Sequence, residues 1–155
     1  MDARTYLKQI KNSDNRIKDL IKEAVRWEQI AMSAGGSNFS DVKVQTSPKP
    51  DKLGDAVSMA VDYQNRCKRE AKQLTELRHT IIEQIKGMKD DKDDLYYNLL
   101  YGYYVDGKTF SKLVVSENYS YRQIKRYFNK ALDEFDRRYK PQYVEMYVDE
   151  LAENA

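Results

Sequence analysis

Tyr6, Ile10, Ser13, Ile17, Leu20, Ala24, Trp27 and Ala31 recur along the chain at alternating intervals of four and three. That spacing is the heptad seam of one long helix, roughly 42 Å over about 28 residues at the α-helical rise. The stretch SAGGSNFSDVKVQTSPKPDKLG (33–54) interrupts it, and Gly35-Gly36, Pro48 and Pro50 predict a flexible connection there. A second heptad run follows through Ala60, Tyr63, Cys67, Glu70, Leu74, Leu77, Ile81, Gln84 and Met88, widened by Ala71 and Ile85. Glu70 and Gln84 are polar defects in that seam. Two long helices joined by one loop fold back most simply as an antiparallel, coiled-coil-like hairpin. Self-association through the hairpin and a purely intramolecular pair both satisfy the pattern.

KGMKDDKDDL (86–95) ends the second helix and opens a third, with Asp93 and Asp94 where a helix N-terminus favours negative charge. Leu95, Leu99, Leu100 and Tyr103 line one face of LYYNLLYGYYV, and Asp106-Gly107 ends it, Gly107 suiting a left-handed cap. Thr109 can cap a two-turn helix whose Phe110, Leu113 and Val114 fall at i, i+3 and i+4. Glu117-Asn118-Tyr119 makes a tight turn. Ser120 then opens SYRQIKRYFNKALDEF with a full set of start signals. Ser120 and Gln123 form an S-x-x-Q capping box, and Tyr119 and Ile124 occupy the positions of a hydrophobic staple. Ile124, Phe128, Ala131, Leu132 and Phe135 form one stripe; Arg122, Lys125, Arg126, Asn129 and Asp133 form the opposite one.

Two helices joined by a three-residue turn, the second basic on its open side, make a helix-turn-helix pattern. The expected architecture is all-α: a helical hairpin over 1–92, a helix-turn-helix domain over 93–140 and a short amphipathic helix over 141–155. In that last stretch Val144, Tyr147, Val148 and Leu151 alternate with Glu145, Asp149, Glu150 and Glu153, after a break at Pro141. Candidate DNA contacts are Ser120, Tyr121, Arg122 and Gln123 in the first turn of the recognition helix. Lys125, Arg126, Asn129 and Lys130 follow one and two turns on, and Lys108 and Thr109 precede the first helix. Gln123 serves two roles in this reading, since its side chain is also the capping-box partner.

Charge sharpens the picture. The whole chain carries +2, yet residues 108–140 hold nine Lys/Arg against four Asp/Glu, a local +5, so the remainder carries −3. Positive charge gathered in one segment points to a polyanionic partner, here double-stranded DNA. The tyrosines crowding 96–139 read as core and core-edge residues.

DGKTFSKLVVSENYSYRQIKRYFNKAL (106–132) resembles the helix-turn-helix of region 4 of bacterial sigma factors, through Gly107, Thr109, Ser120, Ile124, Lys125, Ala131 and Leu132. YLKQIKNSDNRIKDLIKEA (6–24), VQTSPKPDKLGDAVSMAVDY (44–63) and the Leu74–Met88 seam resemble small phage and prophage proteins of Gram-positive bacteria. Those proteins join a helical hairpin to a sigma-region-4-like domain and are related to ArpU/RinA-type regulators of phage late transcription. The resemblance implies a regulator working with host RNA polymerase in the bacterial cytoplasm. Two positions depart from the pattern: Glu117 stands where an apolar residue is usual, and Lys112 where sigma factors often carry Glu.

Other chemistry finds little footing. There is no glycine-rich phosphate loop, no Cys/His metal set and no nucleophile motif, so neither an enzyme nor a cofactor or metal site is expected. The aspartates at 90, 91, 93 and 94 lack calcium-loop spacing. His79 is the only histidine and sits beside the seam, and Cys67, the only cysteine, reads as core filler in a reducing compartment. No run of about 18 apolar residues predicts a membrane span, and the first residues do not read as a signal peptide. Two competing readings remain: a DNA-packaging component like a small terminase subunit, and a coiled-coil adaptor that binds only protein.

Overall fold

A computed structural model describes residues 1–34, 50–90 and 93–144, with side chains for all of these except 34 and 50–53. The described chain is all-α. Its elements are α1 (Ala3–Ala34), α2 (Pro50–Lys86), α3 (Leu95–Tyr104), α4 (Phe110–Glu117) and α5 (Tyr121–Tyr139), then a 3-10 turn at Lys140–Gln142. The connection expected over 33–54 is shorter at both ends, because α1 reaches Ala34 and α2 begins at Pro50. Proline is at home there, since the first helical turn needs no N–H from it. The amphipathic helix expected over 141–155 falls mostly on residues 145–155, outside the described residues.

The chain divides into two compact units. One comprises Met1–Asp14 with Thr75–Ala155; the other is Asn15–Leu74. The ends of the two long helices belong with α3–α5 because their apolar side chains share one core. Tyr6, Leu7, Ile10, Ile81, Ile85, Leu99, Leu100, Leu113, Ile124, Phe128 and Phe135 are all buried in it.

In that first unit α1 and α2 run antiparallel, Tyr6 pairing with Gln84 and Asp14 with Arg78. The Tyr6 hydroxyl donates to Gln84 Oε1 at 2.8 Å, which satisfies one of the two polar defects in the second seam. Without that bond a buried amide would cost about 1–3 kcal/mol. The Tyr6 ring stacks on Tyr143 at 4.0 Å and lies 6.2 Å from Phe135, so α1 is clamped onto α5 by aromatic contact. Arg138 ties the same C-terminal turn of α5 to the end of α2, donating to the Gly87 carbonyl at 3.2 Å and to Glu134 Oε1 at 2.7 Å. Arg137 grips the same carboxylate through both oxygens, at 2.6 and 2.9 Å.

The second unit holds residues 15–34 of α1 and 50–74 of α2, again antiparallel. Arg16 Nε donates to Glu70 Oε1 at 3.0 Å, and Trp27 stacks on Tyr63 at 4.9 Å. Thus the other polar defect, Glu70, is the acceptor of an ion pair at the seam's edge. Cys67 is buried in the seam, and burial, helped by Glu23 and Glu70, pushes its thiol pKa up and keeps it protonated.

Within α3, Leu95, Leu99 and Leu100 are buried as their spacing requires and Tyr103 is half-buried against the same core; Gly102 and Tyr104 are buried as well. A Cβ on Gly102 would meet Leu113 Cδ2 at 2.9 Å, so α3 and α4 touch where no side chain fits. The chain then turns at Gly107, whose φ of +69° is left-handed, as expected from its sequence position.

Two outcomes test this core. Phe135→Ala removes a fully buried ring that Tyr6, Tyr139 and Tyr143 surround, and chemical denaturation should show a loss of about 3–5 kcal/mol. Hydrogen bonds from Arg137, then Arg138, hold Glu134 at a pKa of about 2 against an ordinary 4.5. Its stabilisation is therefore complete above about pH 4.5 and is lost as pH falls through about 2. Stability of Glu134→Gln, measured across that window, should fall less steeply with acid than that of the parent.

Candidate nucleic-acid interface

The bihelical element is built by local capping chemistry. Thr109, in extended backbone, accepts from Lys112 N through its hydroxyl at 3.3 Å and starts α4. Asn118 stops α4 with φ 58° and ψ 35°, a left-handed conformation that asparagine tolerates better than other non-glycine residues. Two residues on, the expected capping box is formed in full. Ser120 Oγ accepts from Gln123 N at 3.2 Å, and Gln123 Oε1 accepts from Ser120 N at 3.1 Å. These bonds set where α5 begins and at what angle the chain enters it.

Packing then decides which side of α5 is open. Ile124, Phe128, Ala131, Leu132 and Phe135 are buried, as their spacing requires. Phe128 is the pivot: Phe110 of α4 meets it edge-on at 5.1 Å, and Tyr103 and Tyr104 of α3 lie 5.1 and 5.9 Å away. Arg122, Lys125, Arg126, Asn129 and Lys130 are exposed.

Three of these exposed cations rest against aromatic rings. Lys125 Nζ sits 5.1 Å from the centre of the half-exposed Tyr121 ring. Arg126 and Lys130 flank the Tyr127 ring at 5.3 and 5.9 Å, and Tyr119 braces that ring edge-on at 5.1 Å. Each exposed cation–ring contact contributes about 0.5–1 kcal/mol, enough to bias a long side chain toward one direction.

The other expected contacts divide by what already occupies them. Gln123 spends its amide oxygen on the capping box, where Ser120 Oγ also meets it at 3.2 Å, so reading adenine through that oxygen would break the box. The hydroxyls of Ser120 and Thr109 act as helix caps. Lys108 is half-buried, with its stem lying over Gly102 of α3.

One residue beside this face has no counterpart among the expected contacts. Arg4, in the first turn of α1, donates from Nη2 to Asn129 Oδ1 at 3.3 Å. Its charge also acts on Tyr104, whose hydroxyl is buried without a hydrogen-bond partner among the described residues. Burial raises the Tyr104 pKa and Arg4 opposes the rise. The two residues of the Arg4–Asn129 bond are 125 positions apart in the chain, and no local sequence pattern marks it.

Among the described residues no three His, Cys, Asp or Glu side chains gather to hold a metal ion, and no helix is long and apolar enough to cross a membrane. His79 is exposed. No protein-family model, curated protein or solved structure matches the chain.

Capping and exposed charge should separate cleanly in stability measurements. Ser120→Ala should lower unfolding free energy by about 0.5–2 kcal/mol by stripping the cap. Arg122→Ala, on the open face, should stay within about 0.5 kcal/mol of the parent. Equal losses in the two variants would contradict this division of roles.

Proposed function

We propose that this chain is a sequence-specific DNA-binding regulator of transcription, with α5 as the recognition helix in the major groove. The observation that carries the reading is the open face of α5. A rigidly capped helix follows a left-handed turn, buries one side on α3 and α4, and turns Arg122, Lys125, Arg126 and Asn129 outward. Arginine and asparagine are suited to paired hydrogen bonds with guanine and adenine edges, while lysine neutralises phosphates. The local charge of +5 over residues 108–140 supports a polyanionic partner.

The resemblance of residues 106–132 to sigma region 4, and of 6–24 and 44–63 to phage and prophage proteins, supports a more particular role. On that basis the protein regulates phage or prophage transcription together with host RNA polymerase, in the bacterial cytoplasm. The geometry of α5 supports the DNA-binding part of the reading without that context.

Selection from a random duplex library, followed by fluorescence anisotropy on the enriched sequences, tests the assignment. The parent should enrich a defined site and bind it in a salt-dependent way. Arg122→Ala and Arg126→Ala should each weaken specific binding by about tenfold to a hundredfold, with circular dichroism unchanged. A selection that enriches nothing would defeat the reading; DNA bound equally at all sequences would then favour the packaging component, and no DNA bound at all the protein-only adaptor.

A further inference from the structure

The N-terminal turns of α1 carry a second row of cations within the same compact unit as α5. Arg4, Lys8 and Lys11 stand at i, i+4 and i+7, which places them within a narrow arc of one helix face. All three are exposed, whereas Ala3, Tyr6, Leu7 and Ile10 on the adjoining arc are buried. The core contact of α1 therefore fixes the direction of this row.

Two contacts locate it. Arg4 reaches Asn129 on the open face of α5. Lys8 and Lys11, with Asn12 and Asp14, form one wall of an open groove of about 470 Å³ whose other wall is residues 103–107, the turn leading to α4. Asp14 is already paired with Arg78. Against the two lysines the groove therefore presents the carboxylate of Asp106, and the balance, with Arg4, is positive. The row thus begins at the recognition helix and continues along the turn that precedes its partner helix.

Resting on the DNA-binding reading above, we propose that Arg4, Lys8 and Lys11 bind the phosphodiester backbone of the same duplex whose base edges α5 reads. The ligand is the sugar–phosphate strand flanking the major groove. Recognition there is by charge and not by base identity, because the row offers lysine ammonium groups that contact phosphates as point charges. At the junction, Arg4 has a second effect. By donating to Asn129 Oδ1 it fixes the orientation of that amide, and the amide nitrogen is turned away from the guanidinium as a donor.

Salt titration separates this site from the α5 reading. In the Lys8→Gln/Lys11→Gln double variant, the slope of log affinity against log salt should become shallower by about 1.8, from about 0.9 per lost phosphate contact. The preferred sequence should not change. Lys68→Gln/Lys72→Gln removes the same charge from exposed positions of α2 in the other compact unit and serves as the control; its slope should match the parent's.

An unchanged slope in the Lys8/Lys11 variant, alongside lost binding in Arg126→Ala, would overturn the α1 site and leave the recognition helix standing. The same holds if the control variant loses slope equally, since the effect would then be one of net charge. If the row instead holds an acidic segment of another protein, the DNA slope is likewise unaffected. A parent with no salt-sensitive DNA affinity would overturn both assignments.

Discussion

One apolar stripe, Ile124, Phe128, Ala131, Leu132 and Phe135 of α5, is the constraint on which the first compact unit depends. Each of these side chains is removed from water, and fully burying an isoleucine, leucine or phenylalanine contributes about 1.5–3 kcal/mol. Covering the stripe takes α3 and α4 at its N-terminal half, where Phe128 meets Phe110, Tyr103 and Tyr104. At its C-terminal half it takes α1, through Tyr6 against Phe135. The open face of α5 is a consequence of the same geometry. A helix buried along one side shows the other, so the polar face is oriented by the core and not by its own charges.

Much of this is written locally. The capping box at Ser120 and Gln123, the Thr109 cap, the left-handed Asn118 and the left-handed Gly107 each depend on residues within three or four positions. Their signals are therefore legible in the chain. The heptad seams show for the same reason, since their period is a property of one helix. Burial follows the first seam well: Tyr6, Ile10, Ser13, Leu20 and Ala24 are all buried. Trp27 falls short of it, being half-buried, and so does Tyr63 in the second seam, which is exposed; the two rings stack on each other.

What escaped was whatever joins distant segments. The division of the chain places residues 1–14 with α3–α5, although hydrophobic periodicity treats them as part of one uniform helix. Periodicity reports that a face is apolar; it does not report what covers it. Gln84 looked like a flaw in the seam because its partner hydroxyl, on Tyr6, is 78 residues away. Gly102 carried no sequence signal beyond its identity, because its role is the absence of a side chain where Leu113 needs the space. The Arg4–Asn129 bond carries no sequence signal for the same reason, since only tertiary packing brings the two residues together.

The tyrosines of the C-terminal half serve two ends that composition alone merges. Tyr104 is buried and stacks on Phe128, whereas Tyr121 is half-exposed and Tyr127 lies at the core's edge. The second kind carries cations: Lys125 over Tyr121, Arg126 and Lys130 over Tyr127. Ordering a lysine or arginine side chain costs up to about 1.5–2 kcal/mol of conformational entropy. A ring that holds the cation in the free protein meets part of that cost before any ligand arrives. A recognition helix whose cations are already directed loses less on binding than one with a freely moving basic fringe. Under the DNA-binding reading, this pre-ordering separates α5 from an ordinary solvated helix face: its charges have direction as well as sign, and direction is what distinguishes one base edge from another.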